Sequence, residues 1–274
     1  MASFIVEGGQ KLSGEIIPAG NKNAALPAIA ASLLGSGVTT LNNMPKIQDV
    51  LTMLEILESL GAEVTWKDQN SVVIDPSSVG SGTIEEALAQ RIRASLLLAG
   101  PLLARFGCVR LPPPGGDVIG RRRMDTHFLA FEALGAKVNL DSGFEIQCDN
   151  LHGADFFLDE PSVTGTENAI MAAVLAQGDT LIRNAASEPH VQDLCNLLVK
   201  MGAVIDGVGT NQLLISGVEK LDGTSFTIGS DHIETGSFIG MAAVTGSDIL
   251  IKDAPIRQLE STFLGFRRLG IDLQ

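Results

Sequence analysis

The chain has 274 residues, and 19 Lys and Arg against 32 Asp and Glu leave a formal charge of −13. A hydrophobic content of 45% with 19% charged residues excludes a disordered chain, and the acidic balance argues against a broad basic surface for nucleic acid. No apolar run reaches the roughly 18 residues that span a bilayer, and the start Met1-Ala2-Ser3-Phe4 lacks the basic residues and apolar core of a secretory leader. These features lead to the expectation of a cytoplasmic globular protein with neither nucleic acid nor membrane as partner.

In chain order, the first feature is Pro18-Ala19-Gly20-Asn21-Lys22-Asn23, a glycine turn that delivers Lys22 and Asn23 to the start of a helix over 24–34. That helix is apolar nearly all round, as a buried helix is. Two readings of its start stay open. The free N–H groups and positive dipole end favour an anion beside Lys22, or Asn21 or Asn23 simply caps the helix. A β-branched strand to Leu41 follows, then an amphipathic helix ending at Gly61, then strands at 62–65 and 71–74 joined by a turn at 67–70. Trp66 reads as a strand residue that serves packing.

Arg91 and Arg93 precede a second apolar helix over 94–103 and are expected on different faces. Either one of them binds a phosphate bidentately, or both are solvated or pair with Glu85 and Glu86. The segment 111–127 is the most unusual. Pro112, Pro113 and Pro114 stiffen its entry, while Gly115, Gly116 and Gly120 make the loop behind them pliable. This is the composition of a hinged flap over 112–123, with Asp117 at its tip and Arg121, Arg122 and Arg123 at its base. The alternative is a surface loop in which Asp117 pairs with a neighbouring arginine. A helix ending at Gly135 and a strand over 136–138 come next, then a third apolar helix at 169–176, a strand at 180–182, and a helix ending at Gly202. Ser230 and Asp231 read as caps of a further helix, and a fourth helix ends at Gly270.

Gly61, Gly135, Gly202 and Gly270 recur about every 70 residues, each where a helix must end in a positive-φ residue. The strand-and-helix alternation between them implies an α/β protein built of repeated βαβαββ-like units. The apolar helices should share one core. The fourth unit stops inside a strand, so a longer chain is expected. Cys108, Cys148 and Cys195 form no CxxC, and His127, His152, His190 and His232 are scattered, so neither a disulfide scaffold nor a metal site is expected. Dinucleotide, P-loop and nucleophile-elbow motifs are absent from the sequence.

Four motifs in register, Gly20–Pro27, Ile92–Ser95, Gly115–Arg122 and Asp231–Gly236, occur in the same order as in the UDP-N-acetylglucosamine enolpyruvyl transferases, and the chain resembles that family over nearly its whole length. The resemblance implies an inside-out α/β barrel of the enolpyruvyl transferase type, with two domains of three repeats. Residues 1–21 would be a strand segment of the second domain, 22–229 the complete first domain, and 230–274 a partial repeat of the second. It implies transfer of an enolpyruvyl group from phosphoenolpyruvate to the 3-hydroxyl of UDP-N-acetylglucosamine, the first committed step of peptidoglycan synthesis, by a monomer without cofactor or metal.

It also implies roles. Lys22 and Arg122 would hold the phosphate and carboxylate of phosphoenolpyruvate, Asn23 both substrates, and Arg93 the nucleotide sugar. Arg122, Arg123, Met124 and Asp125 would line the uracil end, while Ser162, Val163 and Thr164 would touch the diphosphate and nucleoside. Asp231 would be a further substrate contact. Thr164 stands where the family usually has glycine, and Arg123 where it usually has proline. Asp117 stands where most members carry the cysteine that protonates the methylene carbon. A carboxyl group, with a reference pKa near 3.9, would need desolvation to raise it, and the nearby arginines oppose that. The resemblance also implies insensitivity to fosfomycin, which alkylates the thiol. With the general base assigned to absent repeats, the 274-residue chain is expected to be inactive alone. The other readings are a non-catalytic UDP-sugar-binding module and the shikimate-pathway relative, the latter disfavoured by the glycine-rich flap.

Overall fold

The computed structural model describes residues 3–116, 123–140 and 143–273. The chain forms two compact units, one of residues 22–228 and one of residues 1–21 with 229–274. In chain order the elements are β1 (Ser13–Ile16), α1 (Lys22–Ala31), β2 (Thr39–Asn42), α2 (Gln48–Ser59), β3 (Glu63–Trp66), β4 (Val72–Asp75), α3 (Glu86–Ala89), α4 (Ala99–Phe106) and β5 (Cys108–Leu111). Then come α5 (Asp125–Ala133), β6 (Lys137–Asn139), β7 (Phe144–Gln147), β8 (Asp155–Phe157), α6 (Val163–Ala173), β9 (Asp179–Arg183), α7 (Pro189–Lys200), β10 (Val204–Asp206) and β11 (Gln212–Ser216). The last are β12 (Ser225–Thr227), α8 (His232–Thr245), β13 (Asp248–Ile251) and α9 (Glu260–Arg268).

The larger unit carries three sheets, one per repeat, ordered β12-β2-β4-β3, β5-β7-β6 and β10-β11-β9-β8. In each, an antiparallel hairpin (β3–β4, β6–β7 or β10–β11) pairs with the strand that follows the apolar helix. A parallel neighbour joins that strand from outside: β12 on β2 and β8 on β9. In the middle sheet the neighbour shrinks to one bridge, Thr83 to Arg110. Gly82 lies so close to β5 that a Cβ there would meet the Cys108 carbonyl oxygen at 2.1 Å.

The helices lie inside these sheets. Residues 24–31, 95–103 and 165–173 are buried without interruption, as suits sequences that are apolar nearly all round, with Thr166, Glu167 and Asn168 as buried polar exceptions. The apolar stretch at 94–103 is not one regular helix. It begins as a 3₁₀ segment, Arg93–Leu98, and continues as α4. This segment packs on α1 and α6, and α4 packs on α6. Strand burial alternates, as in β9 and β11, so one sheet face meets the helices and the other meets water.

The repeat glycines mark the helix ends. Gly61, Gly135, Gly202 and Gly270 have φ of 105°, 94°, 110° and 80°, conformations that an L side chain resists. The smaller unit holds β1 parallel to β13, with Ser13 opposite Asp248, and α8 and α9. Among the described residues no helix is long and apolar enough to cross a membrane.

At Gly61 an added Cβ would lie 2.7 Å from the Ser78 carbonyl oxygen, whereas at Gly80 it would meet nothing within 4 Å. Gly61→Ala is therefore expected to cost upwards of about 1 kcal/mol in urea unfolding, and Gly80→Ala no more than about 0.5 kcal/mol. Equal effects would remove the conformational reason for the repeat glycine.

Candidate active site

The three buried stretches run so that their N-termini open on one cleft of about 890 Å³ in the larger unit. Lys22 and Asn23 open α1, Arg93 and Ala94 open the 3₁₀ segment, and Val163 and Thr164 open α6 behind the cap Ser162. Each helix start presents backbone N–H groups without helical partners and the positive end of a dipole. Residues 142 positions apart in the sequence thus share one wall suited to anions.

Lys22 and Arg91 of this wall are held by carboxylates. The Lys22 ammonium lies 3.0 Å from Asp49 Oδ2, with both side chains about two-fifths exposed. Arg91 pairs with Glu55, not with the Glu85 or Glu86 of the alternative reading. The expectation that Arg91 and Arg93 face different ways is corrected, since both line the cleft. Ile92 between them is extended, with φ −139° and ψ 143°, so its two neighbours project to the same side while Ile92 is buried. The entry of the glycine-rich segment lies along this stretch. A Cβ on Gly115 would fall 1.7 Å from the Gln90 carbonyl oxygen, and one on Gly116, where φ is +88°, 3.0 Å from the Arg93 nitrogen. Asp117 and Arg122 lie outside the described residues.

On the far side, Arg123 Nε donates to both carboxylate oxygens of Asp125 at 3.0 Å. Its Nη2 reaches Asp159, and Nη1 lies 3.7 Å from Glu160. This cage holds the Arg123 guanidinium charged well beyond its ordinary range. A hydrogen bond from Thr126 Oγ1 (2.9 Å), followed by the Arg123 contact, lowers the Asp159 carboxyl. Met124 precedes α5, and Asp125 starts it. Ser162 Oγ accepts from the Gly165 N–H at 3.2 Å, capping α6. Asp231 belongs to the smaller unit, where it caps α8 by accepting from the N–H groups of Ile233 (2.8 Å) and Glu234 (3.1 Å).

Sequence reasoning missed Asp49, Glu160, Glu167 and Glu188, which also line the cleft. For Glu167 a signal was present: Thr166-Glu167-Asn168 is a polar triplet inside an otherwise apolar helix. Glu167 is 1% exposed, and its Oε1 has no hydrogen-bond partner among the described residues. Burial, and then the charge of Glu188, push its carboxyl well above the ordinary range. Burial and Glu167 in turn push the Cys195 thiol up to about 12.

The folded chain keeps the Glu167 proton to higher pH than the unfolded chain. Across that interval the native state binds more protons and loses stability as pH rises. Glu167→Gln, which is neutral at every pH, is therefore expected to gain stability over the wild type between pH 5 and 8, with the two converging toward pH 4, as read from urea midpoints. A difference that did not change with pH would mean that Glu167 is ionised in the fold.

Over residues 6–272 the chain matches the family model for EPSP synthase (3-phosphoshikimate 1-carboxyvinyltransferase). It is 56% identical over 268 residues to a UDP-N-acetylglucosamine 1-carboxyvinyltransferase of Bradyrhizobium diazoefficiens, covering 98% of this chain and 62% of that one. To the enzyme of the same name from Treponema denticola it is 54% identical over 271 residues, covering 99% and 64%. Among solved structures it superposes on the enolpyruvyl transferase NikO from Streptomyces tendae with a TM-score of 0.83 at 21% identity, covering 97% of this chain and 64% of that one. An EPSP synthase from Acinetobacter baumannii gives 0.78 at 20% identity, covering 98% and 62%. The chain thus spans somewhat less than two thirds of the length of these relatives. The sheets wrapped around buried helices are the inside-out α/β barrel of these enolpyruvyl transferases, and the chain belongs to the EPSP synthase family.

Proposed function

We propose that this chain carries the first domain, and part of the second, of an enzyme that transfers the enolpyruvyl group of phosphoenolpyruvate to the 3-hydroxyl of UDP-N-acetylglucosamine and releases phosphate. The observation that carries the reading is the convergence of Lys22, Asn23, Arg93 and Ser162–Thr164 at helix starts around one cleft. Both substrates are anions with several phosphate or carboxylate oxygens, and such a wall favours them before any side chain is counted. The names of the relatives support the choice of acceptor.

In this reading Lys22 and Arg122 grip phosphoenolpyruvate and Asn23 touches both substrates. Arg93, Arg123, Met124, Asp125, Ser162, Val163, Thr164 and Asp231 hold the nucleotide sugar. Asp117 gives a proton to the methylene carbon, and the electron pair of the enol double bond forms the new C–H bond. The sugar hydroxyl then bonds to the cationic C2 and loses its proton. The tetrahedral adduct next loses a proton from C3, and the C2–O bond to phosphate breaks as the double bond re-forms. Neither metal nor cofactor enters this sequence. The protein acts as a cytoplasmic monomer, and residues 1–21 and 230–274 belong to the second domain.

The Lys22–Asp49 pair is half-exposed, and a pair of that kind contributes about 1 kcal/mol or less. A ligand anion therefore displaces Asp49 from Lys22 at little cost. The test is phosphate release by the full-length gene product, dependent on both phosphoenolpyruvate and UDP-N-acetylglucosamine. Lys22→Ala is expected to lower kcat/KM by about 100-fold or more. Activity with shikimate 3-phosphate in place of the nucleotide sugar would overturn the choice of acceptor.

Fosfomycin should leave the wild type active, because a carboxylate opens the epoxide poorly, and Asp117→Cys should create time-dependent inactivation. Covalent labelling of the wild type at residue 117 would refute the role given to Asp117.

A further inference from the structure

Behind the cleft wall lies a chain of hydrogen bonds that fixes the direction of every proton in it. Asn168, fully buried on α6, accepts from the Gly100 N–H at Oδ1 (2.7 Å) and donates from Nδ2 to the Leu96 carbonyl at 2.9 Å. The opposite amide orientation would set oxygen against oxygen at Leu96 and N–H against N–H at Gly100. The second Nδ2 proton therefore points at His127 Nδ1, 2.9 Å away, and that nitrogen must be the acceptor. A neutral imidazole with a bare Nδ1 carries its proton on Nε2, and Nε2 lies 3.2 Å from Thr164 Oγ1. The Thr164 oxygen accepts there.

His127 is 1% exposed, and burial, followed by the positive charge of Arg93, pulls its imidazole down to about 4. It stays neutral, with the same tautomer, through the physiological range. Thr164 itself is exposed and lines the cleft. As the second residue of α6 it has no preceding helical turn whose carbonyl would take its hydroxyl proton.

We propose that the Asn168–His127 relay holds the Thr164 hydroxyl as a one-way donor into the cleft, and that its acceptor is an anionic phosphate oxygen of a nucleoside diphosphate ligand. His127 and Asn168 are positioning residues, and Thr164 makes the contact. Glycine at position 164, the residue the family resemblance leads one to expect, could offer only its backbone N–H, so the hydroxyl is an addition of this chain that the relay makes directional. The ligand class rests on the function proposed above, whereas the relay rests on geometry alone.

The test pairs a binding measurement with a ligand-free one on the full-length protein. Calorimetry with UDP-N-acetylglucosamine is expected to show about tenfold weaker binding for Thr164→Val. Thr164→Ser should stay within about threefold of the wild type, with equal melting temperatures for all three. Nitrogen-15 NMR of labelled histidine should show His127 protonated at Nε2 without change from pH 6 to 8. Equal binding by wild type and Thr164→Val, or a proton on Nδ1, overturns the inference while leaving the proposed function standing. Failure of the wild type to bind overturns the proposed function and, with it, the ligand assigned to Thr164.

Discussion

Everything about the larger unit stems from burying helices on all sides. A helix with an apolar surface all round can satisfy its polar backbone groups with water or ligand only at its ends. In α1, the 3₁₀ segment continued by α4, and α6, the C-terminal ends lead on to β2, β5 and β9, and the N-terminal ends meet at the cleft. The anion-binding character of the cleft is thus a by-product of how the core is packed. The side chains at the helix starts sharpen a preference that the backbone already has.

The charged residues around the cleft moderate that preference. In a chain with a formal charge of −13, Lys22, Arg91 and Arg123 each have a carboxylate partner, so the apo cleft is not a bare cationic hole. Half-exposed pairs of this kind are weak and exchange readily for a ligand oxygen. Glu167 is a different case. It is buried with no ion-pair partner among the described residues, and the fold tolerates it as the neutral acid because ionising it there would cost more than keeping its proton.

The repeat was legible in the sequence because its signal is local. A glycine in the left-handed region at a helix end has a steric cause within one turn of chain, and all four behave alike. The clustering of Lys22, Arg93 and Ser162–Thr164 was legible only through the family resemblance, since no spacing rule links residues so far apart. The orientation of Arg91 and Arg93 was misread because nothing local in the sequence marks the extended backbone at Ile92. The relay through His127 and Asn168 was invisible for another reason. A buried histidine and an asparagine 41 residues apart look, in sequence, like two unrelated interruptions of apolar helices.

The pairing of β2 with β12 ties residues 40–42 to residues 225–227, so the first repeat's sheet is finished by a strand that the ribosome makes last among those of this unit. During synthesis, the antiparallel β2-β4-β3 portion emerges long before its clasp and must wait with one edge open. At about 5–20 residues per second that delay is on the order of ten seconds or more, a window in which an exposed edge can recruit the wrong strand. Chaperone dependence in the cell should therefore track translation speed across the second and third repeats more than the stability of the finished core.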